Sequence, residues 1–244
     1  MQRNLVAGLL ALATLFVGFL YLMGWSAAAA DRPRILAMAR MVTGLLVVWI
    51  WIGGGVMRVY RRSMAAWIQD IPLKWQVKFV LLATFLACVE EAVTVAMTNL
   101  APLFGVRIGA AYITASTNYL DVIAFHSVVV FIPFFIALAL LLTRWALSPF
   151  AVFLSFGVVG TGAEAVFAGS PVALIGFPLW LFVYGLMVWL PAYCVPENRG
   201  ARVAGPVVLL GLPVLTMVLA LPMIAPVVYV IAVGLGHPAI DFVP

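Results

Sequence analysis

Residues 79–99 read FVLLATFLACVEEAVTVAMTN, an apolar run with two adjacent carboxylates, Glu90 and Glu91, near its middle. At 1.5 Å per residue a helix of this length covers about 30 Å, the thickness of a bilayer's hydrocarbon core. A carboxylate at that depth costs several kcal/mol unless it is protonated, paired or bound to a cation. The stretch therefore points both to a membrane-spanning helix and to a polar site within the membrane.

The rest of the chain agrees with the first point. Of 244 residues, 66% are hydrophobic and 9% charged, against about a quarter charged in soluble domains. Long apolar runs recur from end to end. They are continuous rather than alternating, and open sheets would leave backbone groups unsatisfied in lipid. The expected fold is an all-α polytopic transmembrane helix bundle forming a single integral membrane domain over residues 1–244. About seven spans are expected, with the N-terminus inside.

Residues 5–23 form the first run, and the WSAAAAD that follows resembles a signal-peptidase site. Residues 1–30 are thus a first span or a cleaved signal, the latter leaving six spans; about nineteen apolar residues favour a retained helix. The second run, 41–57, ends at Gly53, Gly54 and Gly55. Residues 58–78 then carry Arg58, Arg61, Arg62, Lys74 and Lys78 against one acid, Asp70. The positive-inside rule places this basic segment in the cytoplasm, and Tyr60, Trp67 and Trp75 suit an amphipathic stretch at the headgroups. Further spans are expected at 79–99, 119–143, 149–168 and 179–194. The loop 101–118, rich in small and hydroxyl residues, is placed to dip back into the membrane. The last stretch, 203–236, holds Pro206, Pro213, Pro222 and Pro226; it reads as one kinked, tilted span, with a re-entrant hairpin as the alternative.

On this topology Arg3, Arg58, Arg61, Arg62, Lys74, Lys78, Arg144, Arg199 and Arg202, nine of the thirteen basic residues, face the cytoplasm. Topology accounts for the net charge of +5, which is no sign of nucleic-acid binding. The acids behave differently: Glu90, Glu91 and Glu164 fall within spans and Asp121 borders one. The membrane thus holds acids without basic side chains to pair with them. Cys88 and Cys194 lie at different depths, which argues against a disulfide. The chain has no phosphate-binding loop, nucleotide fingerprint, CxxC pair or haem attachment motif.

Nearly all the candidate groups collect toward the outer half of the bundle. Glu90, Glu91 and His126 are the candidate catalytic residues. Glu91, His126 and Glu164 are candidate ligands for a divalent metal such as zinc, and His237, Asp241, Asn118 and Asp121 are secondary candidates. Helical phase puts Thr84, Cys88, Glu91 and Thr98 on one face, with Glu90 about 100° away, so Glu91 is expected to face the bundle centre before Glu90. Three chemistries suit such a set: metal-assisted hydrolysis, a metal-free glutamate general base, and proton or cation translocation. A purely structural role, with protonated acids bonded to Thr or backbone carbonyls, is the alternative to all three.

The Glu90–Glu91 pair, the His126 of a later span, and His237 with Asp241 four residues on resemble the motifs of the CAAX-protease and bacteriocin-processing family of membrane-embedded proteases. The resemblance implies a general-base glutamate that activates water for peptide hydrolysis. Two positions depart from the family pattern: Val95 stands where it has Arg, and Val122 where it has an aromatic residue. The resulting expectation is a protein of the cell's inner membrane that hydrolyses a peptide or lipid near the outer leaflet. Its partners are the lipid bilayer and a membrane-protein or lipid substrate. A proton- or cation-coupled transporter and a non-catalytic subunit of a membrane complex are the alternatives.

Overall fold

The computed structural model describes residues 2–167 and 171–237. Among these, eight helices form a bundle: α1 (Gln2–Ser26), α2 (Arg32–Asp70), α3 (Trp75–Asn99), α4 (Tyr119–His126), α5 (Val128–Arg144), α6 (Pro149–Phe167), α7 (Phe177–Tyr193) and α8 (Pro206–Gly234). Six are individually long and apolar enough to cross a membrane; α4 and α5, bent by 47° about Ser127, are so only as a pair. The all-α polytopic bundle expected from the sequence is the observed architecture.

Apolar stripes at helical spacing decide which faces turn inward. On α1 the buried residues Ala13, Val17 and Leu20 form one stripe, while Leu12, Leu15 and Leu22 face outward, as lipid-facing positions would. α2 runs through a π-helical turn at Leu46–Gly53. Beside it the buried Trp49 indole donates to the Val183 carbonyl of α7 at 3.0 Å, satisfying a polar group that would otherwise be stranded in the core.

Residues 58–70, read from the sequence as part of an inter-span loop, are helical instead. They continue α2, and only a short turn at 71–74 separates them from α3. Their apolar side supplies the reason: Ala65 and Ile68 are buried, while Arg58, Arg62 and Trp67 are exposed. This basic end is then tied together. Gln69 Nε2 donates to the Cys194 carbonyl at 3.2 Å, and Lys78 Nζ to the Gln69 carbonyl at 2.9 Å. Arg199 Nε donates to the Leu142 carbonyl at 2.8 Å, beside a two-residue parallel ladder between β1 (Trp145–Ala146) and β2 (Arg202–Val203).

The last stretch is a single helix, not a hairpin. Pro206 lies in its first turn, where no hydrogen bond is lost, and Pro213, Pro222 and Pro226 lie inside it. α8 buries only Leu212, Thr216 and Ala220. Thr216 is hydrogen-bonded to Ser155 of α6 at 3.4 Å.

The closest packing lies between α6 and α7. A Cβ at Gly157 would sit 2.6 Å from the Leu181 carbonyl oxygen, and one at Gly160 would sit 2.1 Å from the Tyr184 ring. Small residues allow such approaches between membrane helices. Around this seam Phe131, Phe156 and Tyr184 pack edge to face, with Phe135 against Phe156 at 5.3 Å. The aromatic wall closes the core below the polar site.

Candidate functional site

Glu90 and Glu91 lie nine and eight residues from the C-terminal end of α3, about 13 Å along the helix. Both turn inward. The buried stripe of α3 runs Ala83, Ala87, Glu90, Glu91, Thr94 and Thr98, with Thr84 and Cys88 half-buried at its flank. The centre of the interface therefore falls between the two carboxylates. Glu90, 3% exposed, is the more enclosed and Glu91, at 6%, the less, the reverse of the order that helical phase suggested.

Hydroxyl groups surround Glu91. Its Oε2 accepts from Thr94 Oγ1 at 3.1 Å and from Thr114 Oγ1 at 3.4 Å, and the Ser127 hydroxyl lies nearby. Thr114 comes from the connection after α3, which folds back over the helix end. Ile113 N donates to Thr98 Oγ1 at 3.2 Å, Asn99 Nδ2 to the Thr117 carbonyl at 3.0 Å, and Tyr119 OH to the Cys88 carbonyl at 2.8 Å.

Glu164 enters from α6, near that helix's end. Its Oε1 accepts from the Tyr184 hydroxyl of α7. Gly160, one turn earlier on α6, makes this contact possible, because the Tyr184 ring occupies the space a Cβ there would take. Glu164 lies close enough to act electrostatically on both Glu90 and Glu91, and Tyr184 is within reach of all three acids. Among the described residues no side chain hydrogen-bonds the Glu90 carboxyl. Three carboxyl groups from two helices thus share one enclosed region with Thr94, Thr114, Ser127 and Tyr184.

His126 ends the π-helical turn Val122–His126. Its Nδ1 is hydrogen-bonded to Ser127 Oγ at 2.9 Å, a hydroxyl that also lies near Glu91. The proposed metal set fares worse. Among the described residues no group of three or more His, Cys, Asp and Glu side chains is disposed to hold a metal ion; Glu91, His126 and Glu164 do not come together as ligands.

The secondary candidates divide. The ring of His237 stacks on Phe125 with centroids 4.3 Å apart, which sets it beside the bend of α4 and α5. Asp241 lies outside the described residues. Asn118 caps α4, its Oδ1 accepting from Leu120 N at 3.0 Å, and Asp121 accepts from Ser116 Oγ at 3.5 Å; both shape the entry to α4. Sequence reasoning passed over Thr114, Ser127 and Tyr184. A signal for Tyr184 existed, since a phenol seven residues into a span needs a polar partner, and Glu164 is an acid of the neighbouring span.

No family model matches the chain, and the comparisons with curated proteins and with solved structures likewise give no match.

Proposed function

We propose that the chain is a proton-linked membrane protein of the cell's inner membrane, in which Glu90, Glu91 and Glu164 form the proton-binding site. The observation that carries this reading is the convergence of three carboxyl groups among hydroxyl partners, with no Lys or Arg bonded to them and no metal-binding arrangement among the described residues. Protonation is then the available means of keeping acids at this depth, and like charges in one dry site favour shared protons over full ionisation. The connection carrying Thr114 is bonded to Glu91 and Ser127 of the bent pair α4/α5 lies near it, so gain or loss of its proton acts on segments outside α3. That gives the site a mechanical output, as a transporter or a proton-driven switch requires.

The test is proton flux in proteoliposomes under an imposed membrane potential, read with an entrapped pH-sensitive dye. Wild type is expected to acidify or alkalinise the lumen with the sign of the potential. Glu91→Gln and Glu90→Gln, which keep shape and remove the titrating group, are expected to abolish that flux. Flux equal to that of protein-free vesicles would refute the reading.

A second reading, hydrolysis of a peptide or lipid, is favoured by the hydrogen bond of His126 to Ser127, near Glu91. Here Glu91 acts as general base toward a water, with His126 orienting the Ser127 hydroxyl. Release of fluorophore from membrane-embedded peptide or lipid esters, lost in both Glu91→Gln and His126→Ala, is the expected sign. No turnover above the Glu91→Gln background would exclude it for those substrates.

A further inference from the structure

At the basic end of the bundle α1 packs more loosely. Its fully buried residues begin at Ala13, only Val6, Leu9 and Leu10 before it are partly buried against the core among the described residues, and a groove of about 1170 Å³ opens here between α1, α2, α6 and α7. The walls are apolar, with Leu10, Ile50, Phe153, Phe182 and Leu186 among the lining residues. Side chains are missing from one wall at Gly54 and Gly55, and a Cβ at Gly55 would meet nothing within 4 Å. The Thr14 hydroxyl on the lining is donated to the Leu10 carbonyl at 2.9 Å. Arg58 is the charged lining residue, and Trp189 stands at the same end.

The dimensions suit one leaflet. Along α1 the groove runs from Val6 to Leu15, about 14 Å at the helical rise, against about 15 Å for half of the hydrocarbon core. The guanidinium of the exposed Arg58 therefore sits where a lipid headgroup would lie when its chain fills the groove. Arg61 is turned away, its Nη1 donating to the Arg58 carbonyl and its guanidinium 5.9 Å from the centre of the Tyr193 ring. That leaves Arg58 facing the groove, with Arg62 exposed nearby adding to the positive potential. Guanidinium is the side chain best matched to phosphate oxygens, and basic residues at this level attract anionic lipid.

We infer that this groove is a binding site for an anionic phospholipid of the leaflet at the basic end, with an acyl chain between α1 and α7 and the phosphate on Arg58. A lipid merely coating the protein would show no headgroup preference; this site requires one.

The test uses the full chain in phosphatidylcholine nanodiscs containing trace spin-labelled phosphatidylglycerol or spin-labelled phosphatidylcholine, reading the motionally restricted fraction. Wild type is expected to retain phosphatidylglycerol in preference to phosphatidylcholine. Arg58→Gln, a change at an exposed position, should lower that preference roughly fivefold, the effect of one basic residue at an anionic surface. Gly55→Phe, whose ring enters the open groove, should release the restricted chain of both lipids while circular dichroism stays that of wild type. Equal retention of the two lipids by wild type, or an undiminished preference in Arg58→Gln, would overturn the inference. So would cross-linking of two copies through a cysteine placed at Gly55, which would make the groove a protein interface.

Discussion

At one end of the bundle Glu90 and Glu91 are buried, and Glu164 points in toward Tyr184, so acids are drawn into the protein among hydroxyl donors. At the other, Arg58, Arg62 and Arg202 stand exposed, and the neighbouring groove is lined with apolar side chains. Packing follows the same division. Gly160 lets a tyrosine ring press onto α6 near the acids, whereas Gly55 at the basic end faces open space. The same residue type thus serves contact at one end and vacancy at the other. The contrast separates a site that must exclude water, so that acids act on one another, from a surface that can admit a lipid.

The sharpest way to break this contrast is to load both glycines alike. Gly160→Leu would force side-chain atoms into the Tyr184 ring, and overpacking of that kind is expected to cost at least about 3 kcal/mol. Gly55→Leu should leave the thermal midpoint of the detergent-solubilised protein close to that of wild type. Equal midpoints for the two variants would show that the α6–α7 seam is not closed as described.

Tyr184→Phe tests whether the phenol holds Glu164. It removes the donor and leaves a buried acceptor, so a loss of about 1–3 kcal/mol is expected in the same melt. A stability equal to wild type would mean that Glu164 is satisfied elsewhere. A smaller effect is expected from Thr114→Val, which removes one of the hydroxyls on Glu91 and should cost about 1 kcal/mol. Its clearest sign is faster hydrogen exchange in residues 105–118, with α3 unchanged; exchange like that of wild type would detach the connection from the site.

The weakest perturbation concerns the basic end. Burial pushes the Cys194 thiol up to about 11, with Lys78 opposing the shift. A raised thiol pKa leaves the protonated form dominant at neutral pH, so maleimide labelling of a Cys88→Ala protein should be slow at pH 7 and accelerate toward pH 11. Labelling at pH 7 as fast as that of an unfolded control would show an open basic end.

The sequence made the bundle legible because it rests on composition: runs long enough to cross a membrane recur from end to end. Glu90, Glu91 and Glu164 stood out because acids in such runs are costly. Relations between helices were harder to read. Glu164 meets Tyr184 only because Gly160 removes a side chain, and Thr114 meets Glu91 only because its connection folds back. The π-helical turn before Ser127 also breaks the simple seven-residue phase that would set Tyr119 and His126 on one face. It leaves Tyr119 on the Cys88 carbonyl and His126 on Ser127. Periodicity assumes an unbroken α-helix and does not register such a turn. The helical continuation of α2 through the basic segment was hidden for another reason: its charges mark the end of a span without marking the end of a helix.

Infrared spectroscopy of the carboxyl C=O stretch in lipid-reconstituted protein at neutral pH tests the central claim most directly. Wild type is compared with Glu90→Gln, Glu91→Gln and Glu164→Gln. A shared-proton site predicts a protonated-carboxyl band in wild type that is lost or shifted in more than one of the three variants, because each acid acts on the others. A wild-type spectrum with only carboxylate bands would contradict the account, as would a protonated band that ignores all three substitutions.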